Sequence, residues 1–134
     1  MEAMKNHRKV LGQWGEDLAA GYLVEKGYTI LERNVRTRYG EIDLIARQPI
    51  AKADGLASET IVFIEVKARA SETFGMPEES INARKREHLL AAAQVYMQAH
   101  AEADAAFRMD VISIQAGPPG QQPIITHFED AIRC

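Results

Sequence analysis

Two apolar stretches with charges embedded in them constrain this fold more than anything else in the sequence: GEIDLIA at residues 40–46 and TIVFIEVKAR at residues 60–69. β-branched and aromatic residues dominate the second, Ile42, Leu44 and Ile45 give the first its apolar character, and glycine or proline stands in their flanks, so both read as β-strands. Side chains alternate between the two faces of a strand. Asp43 therefore points away from Ile42 and Leu44, while Glu65 and Lys67 share one face with Val66 on the other. The 60–69 stretch is apolar on both faces through Phe63 and Ile64, the pattern of a strand inside a sheet. Charges on such strands are costly unless they pair, bind a metal or line a cleft.

Around these strands the chain reads in order as follows. Leu11, Trp14, Leu18 and Tyr22 form one apolar stripe, which predicts a helix from about Val10 to Lys26 that stops at Gly27. Tyr28 to Val35 reads as a strand that Glu32, Arg33 and Asn34 bend or bulge, and residues 36–40 as a turn. The Asp43 strand runs from about Glu41 to Arg47. Gln48 to Glu59, with Pro49 and Asp54-Gly55, reads as a loop closing a hairpin onto the next strand. That pairing brings Asp43 near Glu65.

A loop and a short helical turn at Pro77–Ser80 precede Asn82, an N-cap for a helix to about His100. Its buried stripe is Leu89, Leu90, Ala93, Tyr96 and Met97, with Lys85 at the stripe's edge. Phe107–Ile114 and Pro123–Phe128 are two further strands, the second at a sheet edge because of its proline. Together the elements predict an α/β domain spanning residues 1–134.

Composition narrows the classes. The chain has 134 residues, 46% of them hydrophobic and 26% charged, with a single cysteine, Cys134. Disulfide scaffolds and cysteine-rich zinc sites are excluded. No apolar run approaches the ~20 residues of a membrane span, and residues 1–10 carry no secretion signal, so the expectation is a cytoplasmic protein without membrane contact. Net charge is −3, yet eight of the 16 Lys and Arg fall in three short clusters. These are Arg33, Arg36 and Arg38; Lys67 and Arg69; and Arg84, Lys85 and Arg86. Such a local positive patch attracts phosphates. Solvated surface charge is the alternative reading of the same clusters.

Asp43, Glu65 and Lys67 suit metal-dependent phosphodiester hydrolysis. Two carboxylates from adjacent strands can hold Mg²⁺ (or Mn²⁺), a hard cation that prefers oxygen and keeps several waters. The metal polarises a phosphate and lowers the pKa of bound water. A lysine on the glutamate's own face can orient that water or stabilise charge developing on the phosphate. The pattern Asp…Glu-x-Lys alone is common, and its placement inside paired apolar strands is what gives it weight. A structural ion-pair network is the competing reading. Asp110 reads as a structural partner for an arginine. His7, His88, His100 and His127 stand on tails and helix surface without metal-ligand spacing and receive no role.

The GEIDLIA and VFIEVKAR segments resemble the signature of the YraN-like family, uncharacterised bacterial proteins of the PD-(D/E)xK nuclease superfamily. The resemblance extends over nearly the whole chain, including Gly15-Glu16, Asn82–Lys85 and Arg108–Val111. It implies a restriction-endonuclease-like core, a central mixed β-sheet flanked by helices in the order α-β-β-β-α-β-β. It also implies Asp43 and Glu65 as metal ligands, Lys67 as the catalytic lysine and Glu16 as a further acidic group and ligand. Arg36, Arg38, Arg69, Arg84, Lys85 and Arg86 then become nucleic-acid contacts, with Lys85 and Gln94 on helix positions that face the cleft in related nucleases. Ile42 stands where the superfamily's name has a proline, and the Gln48–Glu59 loop looks long. DNA, including branched DNA, is the favoured substrate, RNA is the second candidate, and dimeric junction-resolving relatives suggest a homodimer by analogy. A binding module that keeps the fold without cutting is the alternative, disfavoured because all three chemical groups are present.

Overall fold

The computed structural model describes residues 2–51, 57–70, 82–100 and 106–132. Its elements are α1 (Glu2–Glu25), β1 (Thr29–Thr37), β2 (Gly40–Ala51), β3 (Ala57–Arg69), α2 (Ala83–Ala99), β4 (Ala106–Gln115) and β5 (Ile124–Phe128). The strands form one sheet in the order β1-β2-β3-β4-β5, with β3 and β4 parallel and every other neighbouring pair antiparallel. Parallel neighbours need a long crossover, and α2 lies in it. The α-β-β-β-α-β-β order and mixed sheet are those expected from the sequence.

The two helices cover opposite faces. Ile61 and Phe63 of β3 pack with Leu89, Ala93, Tyr96 and Met97 of α2, whereas Val62 and Ile64 pack with Ala19 and Leu23 of α1. This period-2 division makes the central strand apolar on both sides and sends Glu65 and Lys67 toward the α2 face. Among the described residues no helix is long and apolar enough to cross a membrane.

Local sequence explains the ends of these elements. Gly27 adopts φ +94 after α1, and the Tyr28 amide returns to the Leu23 carbonyl at 3.0 Å, the glycine stop expected there. Asn82 caps α2, its Oδ1 accepting from the Lys85 amide at 2.8 Å. In β1 the register shifts between Ile30 and Glu32, and Asn34 sits at φ 53, so this strand is bulged as its polar centre implied. β5 is an edge strand.

Four expectations need correction. α1 starts at Glu2, well before Val10, because the expected start was drawn from the apolar stripe alone. The stripe itself is rotated: Gly15, Ala19 and Leu23 are its buried line, while Trp14, Leu18 and Tyr22 flank it. Arg36 belongs to β1 rather than to a turn; the hairpin loop is only Arg38-Tyr39, between paired Thr37 and Gly40. Gln48–Glu59 is mostly ladder, continuing from Gln48↔Thr60 to Ala51↔Ala57. Pro49 is tolerated there because β1 covers β2 only as far as Arg47, leaving that stretch with one free edge. The short turn at Pro77–Ser80 lies outside the described residues.

Candidate active site

A cavity of about 400 Å³ opens between β2, β3 and the first turns of α2, lined by Asp43, Glu65, Lys85 and, at its rim, Tyr39, Arg84 and His88. Asp43 reaches it from the part of β2 where alternation breaks. Ile42 and Ile45 both pack on the α2 side, and the β2–β3 ladder begins only at Leu44↔Ile64. Released from the ladder, Asp43 accepts the Val66 amide on Oδ2 at 2.8 Å. This bond ties its carboxylate to β3 beside Glu65. Glu65 is 8% exposed, and two ammonium groups converge on its Oε1: Lys85 Nζ at 2.8 Å and Lys67 Nζ at 3.5 Å.

The electrostatics of Asp43 follow from this crowding. Burial, and then the neighbouring Glu65 charge, push its carboxyl up to about 7, against the lowering effect of the Val66 amide. Glu16 and Glu41 add smaller upward pushes. The site thus holds a negative charge short of compensation at Asp43 while the available ammonium groups sit on Glu65. Burial opposes the Lys85 charge, but its bond to Glu65 and the Glu65 and Asp43 charges together outweigh it and shift the ammonium up.

Glu16 is not in this cavity. It lines a neighbouring depression of about 810 Å³ with Lys9, Asp17, Arg33, Asn34 and Glu41, and Glu41 borders both. Arg33 holds this acidic group, at 2.6 Å from Asp17 and 3.9 Å from Glu16. Burial raises the Glu16 carboxyl despite a bond from Asn34 and the Arg33 charge. Gly15 sets Glu16's position: a Cβ there would stand 2.6 Å from the Ala68 Cβ, so only glycine lets α1 come this close to β3. Among the described residues, no group of three or more His, Cys, Asp or Glu side chains is gathered to hold a metal ion.

The basic residues divide. Lys85 is the most intimate of them, on Glu65 itself, and Arg84 shares the cavity. Arg86 and Gln94 are exposed on α2 and line no part of that cavity. Arg36 is exposed and 3.4 Å from Glu41, and Arg38 lies over the Tyr39 ring at 4.9 Å. Arg69, at the end of β3, is half-buried. His88, given no role from the sequence, lines the cavity one turn beyond Lys85, and the three-residue helical spacing was the signal for it.

A second polar cluster lies on the α1 face, away from the cavity. Asp110 is fully buried and accepts from Arg108 Nε at 3.0 Å, His127 Nε2 at 2.7 Å and the Asp130 amide at 2.8 Å. Arg108 is the arginine expected for Asp110, and it also donates to the Tyr28 hydroxyl at 2.7 Å. Burial opposes the Asp110 charge, but the bonds from His127, Arg108 and Asp130 outweigh it and hold the carboxyl below its usual range. His127 is therefore no surface histidine: it sits on β5 with its side chain 4% exposed. Arg108 also donates to Gln48, and the Tyr22 hydroxyl meets His127 Nδ1, so the cluster is tied to its surroundings as a structural network requires.

The sequence matches a known family. The pattern of the uncharacterised protein family UPF0102, the YraN-like proteins, matches residues 15–114, from Gly15 in α1 to Ile114 near the end of β4. A UPF0102 protein of Syntrophomonas wolfei is 46% identical over 104 residues, 78% of this chain and 83% of the relative. One from Geobacter metallireducens is 43% identical over 128 residues, 96% of each chain. Another, from Desulforamulus reducens, is 38% identical over 130 residues, 96% of this chain and all of the relative. The chain belongs to the UPF0102 family.

Proposed function

We propose that this protein hydrolyses phosphodiester bonds of nucleic acid, DNA in preference to RNA, with Mg²⁺ or Mn²⁺ held by Asp43 and Glu65. The observation that carries the reading is the pairing of these two carboxylates beside a cavity, with Asp43 pushed up to about 7 by burial and by Glu65. Two desolvated carboxylates whose ammonium partners both sit on Glu65, leaving Asp43 crowded by a like charge, fit a hard divalent cation, which takes oxygen donors and fills its remaining positions with water or phosphate oxygen. Bound there, the cation would polarise the phosphate and lower the pKa of a water.

The chain's own groups supply the rest. Lys67 lies on the face of Glu65, where its ammonium stabilises charge developing on the phosphate. Arg84 and Lys85 line the cavity and attract the phosphate, and the positive end of the α2 dipole adds to them. Arg36, Arg38, Arg69 and Arg86 extend the phosphate path over the surrounding surface. Glu16, in the adjoining depression, adds its negative charge to the Asp43 side of the site, as the further acidic group expected there.

The test is a panel of duplex, flap, junction and single-stranded DNA and of RNA, with each metal. Cleavage that falls by at least ~100-fold in Lys67→Ala, and disappears in Asp43→Asn, is expected. No cleavage of any substrate would defeat the reading. A second reading, a nucleic-acid-binding module that does not cut, is favoured by one observation: Glu65 is already matched by two ammonium groups. It requires binding to the same panel without products.

A further inference from the structure

Lys85 and Lys67 compete for the same carboxylate oxygen, and they are not equivalent. Lys85 Nζ makes the shorter contact with Glu65 Oε1, 2.8 Å against 3.5 Å for Lys67. It is also the more exposed of the two, 42% against 25%, so it can leave toward solvent without opening the core. Its backbone does not need to move, because the Lys85 amide is fixed by the Asn82 cap while four side-chain methylenes carry the ammonium. An oxygen engaged by an ammonium at hydrogen-bond distance has a lone pair withdrawn from any incoming cation. Arg84, one residue earlier, lines the same cavity and makes no such contact with Glu65 among the interactions of the described residues.

We propose that Lys85 is a displaceable counter-cation: its ammonium holds Glu65 in the metal-free protein, and a divalent ion entering between Asp43 and Glu65 displaces it toward the cavity mouth. This inference rests on the metal-site reading above. Once displaced, the ammonium stands at the opening with Arg84, where an incoming phosphate meets it. Metal loading and the appearance of a free cation for the substrate are thereby coupled.

The test is Mn²⁺ binding to the full chain without nucleic acid, by calorimetry, for wild type, Lys85→Ala, Lys85→Gln, Lys85→Arg and Arg84→Ala. Removing the competing ammonium is expected to tighten Mn²⁺ binding roughly tenfold in both neutral Lys85 variants. Lys85→Arg keeps the charge and should bind like wild type. Arg84→Ala, which removes a charge from the same cavity but not from Glu65, should change affinity by less than about twofold. Equal or weaker Mn²⁺ binding in the neutral Lys85 variants overturns the inference and leaves the metal site standing, and so does an equal gain in Arg84→Ala. Absence of Mn²⁺ binding in every protein overturns both.

Discussion

The Val66 amide donates to Asp43 Oδ2 at 2.8 Å, so the main chain of β3 holds the carboxylate of β2 against a second carboxylate, Glu65. A hydrogen bond of this kind favours the charged form, yet burial and the Glu65 charge win and leave the carboxyl at about 7. The site is built at a cost to the fold.

That cost depends on pH. The folded value of Asp43, about 7, lies above its ordinary 3.8, so the folded state binds the proton more tightly. Its contribution to stability is present below 3.8 and is lost as pH rises through 7. Asp43→Asn keeps an oxygen for the Val66 amide and removes the charge. Without metal, the variant should melt higher than wild type at pH 8, with the gap closing toward pH 4. Parallel melting curves across that range would contradict the origin assigned to the shift.

Divalent ions should reverse the same penalty. A cation that binds only the folded state at 100 times its Kd adds about 2.7 kcal/mol, which raises the melting temperature by several degrees in a chain of this size. Mn²⁺ should therefore shift wild type in thermal melts and leave Asp43→Asn and Glu65→Gln in place. A shift of equal size in all three would assign the ion to another site.

Asp110 carries the opposite sign. Its folded value lies below 3.8, so its stabilisation is present above that value and is lost as pH falls through the acid range. Asp110→Ala leaves Arg108 and His127 facing an empty acceptor and should cost about 3–5 kcal/mol in urea unfolding. Nucleic-acid binding by the folded fraction should persist, because the cluster lies on the α1 face away from the cavity. A loss under 1 kcal/mol, the range of an exposed pair, would mean the network is dispensable.

Gly15→Ala tests how α1 is seated. The added Cβ would meet Ala68 Cβ at 2.6 Å on a rigid strand, so the helix must move. A cost of about 1–3 kcal/mol is expected in denaturant melts, together with a changed Glu16 environment. A neutral or stabilising outcome, the usual result of Gly→Ala inside a helix, would show that α1 has room to spare.

The sequence made the central pair of strands and the α2 cap legible because they are local: period-2 apolar runs fix which face Glu65 takes, and Asn82 satisfies an amide only three residues away. What escaped was set by contacts distant in sequence. The buried line of α1 follows Gly15 and Ala19 rather than the larger Trp14 and Leu18, since close approach to β3 rewards small residues that a hydrophobic pattern underweights. His127 meets Asp110 only because β4 pairs with β5 in one register, Ile112↔His127, which no local pattern states.

Arg84 and Arg86 separate two ways of using a positive charge. Both are exposed on the first turns of α2, yet Arg84 lines the cavity and Arg86 does not. Each phosphate contact releases about one counterion, so losing one should lower the slope of log K against log salt by about 1 and weaken all sequences alike. If both arginines contact phosphate, each alanine variant should show this reduction in binding titrations from 50 to 200 mM salt. Only Arg84→Ala should also slow cleavage at saturating nucleic acid, because it alone borders the reacting phosphate. Equal effects on cleavage from the two substitutions would move the scissile bond out of the cavity and onto the outer face of α2. Sequence-dependent losses would instead make these arginines readers of base edges, since phosphate contacts carry no sequence information.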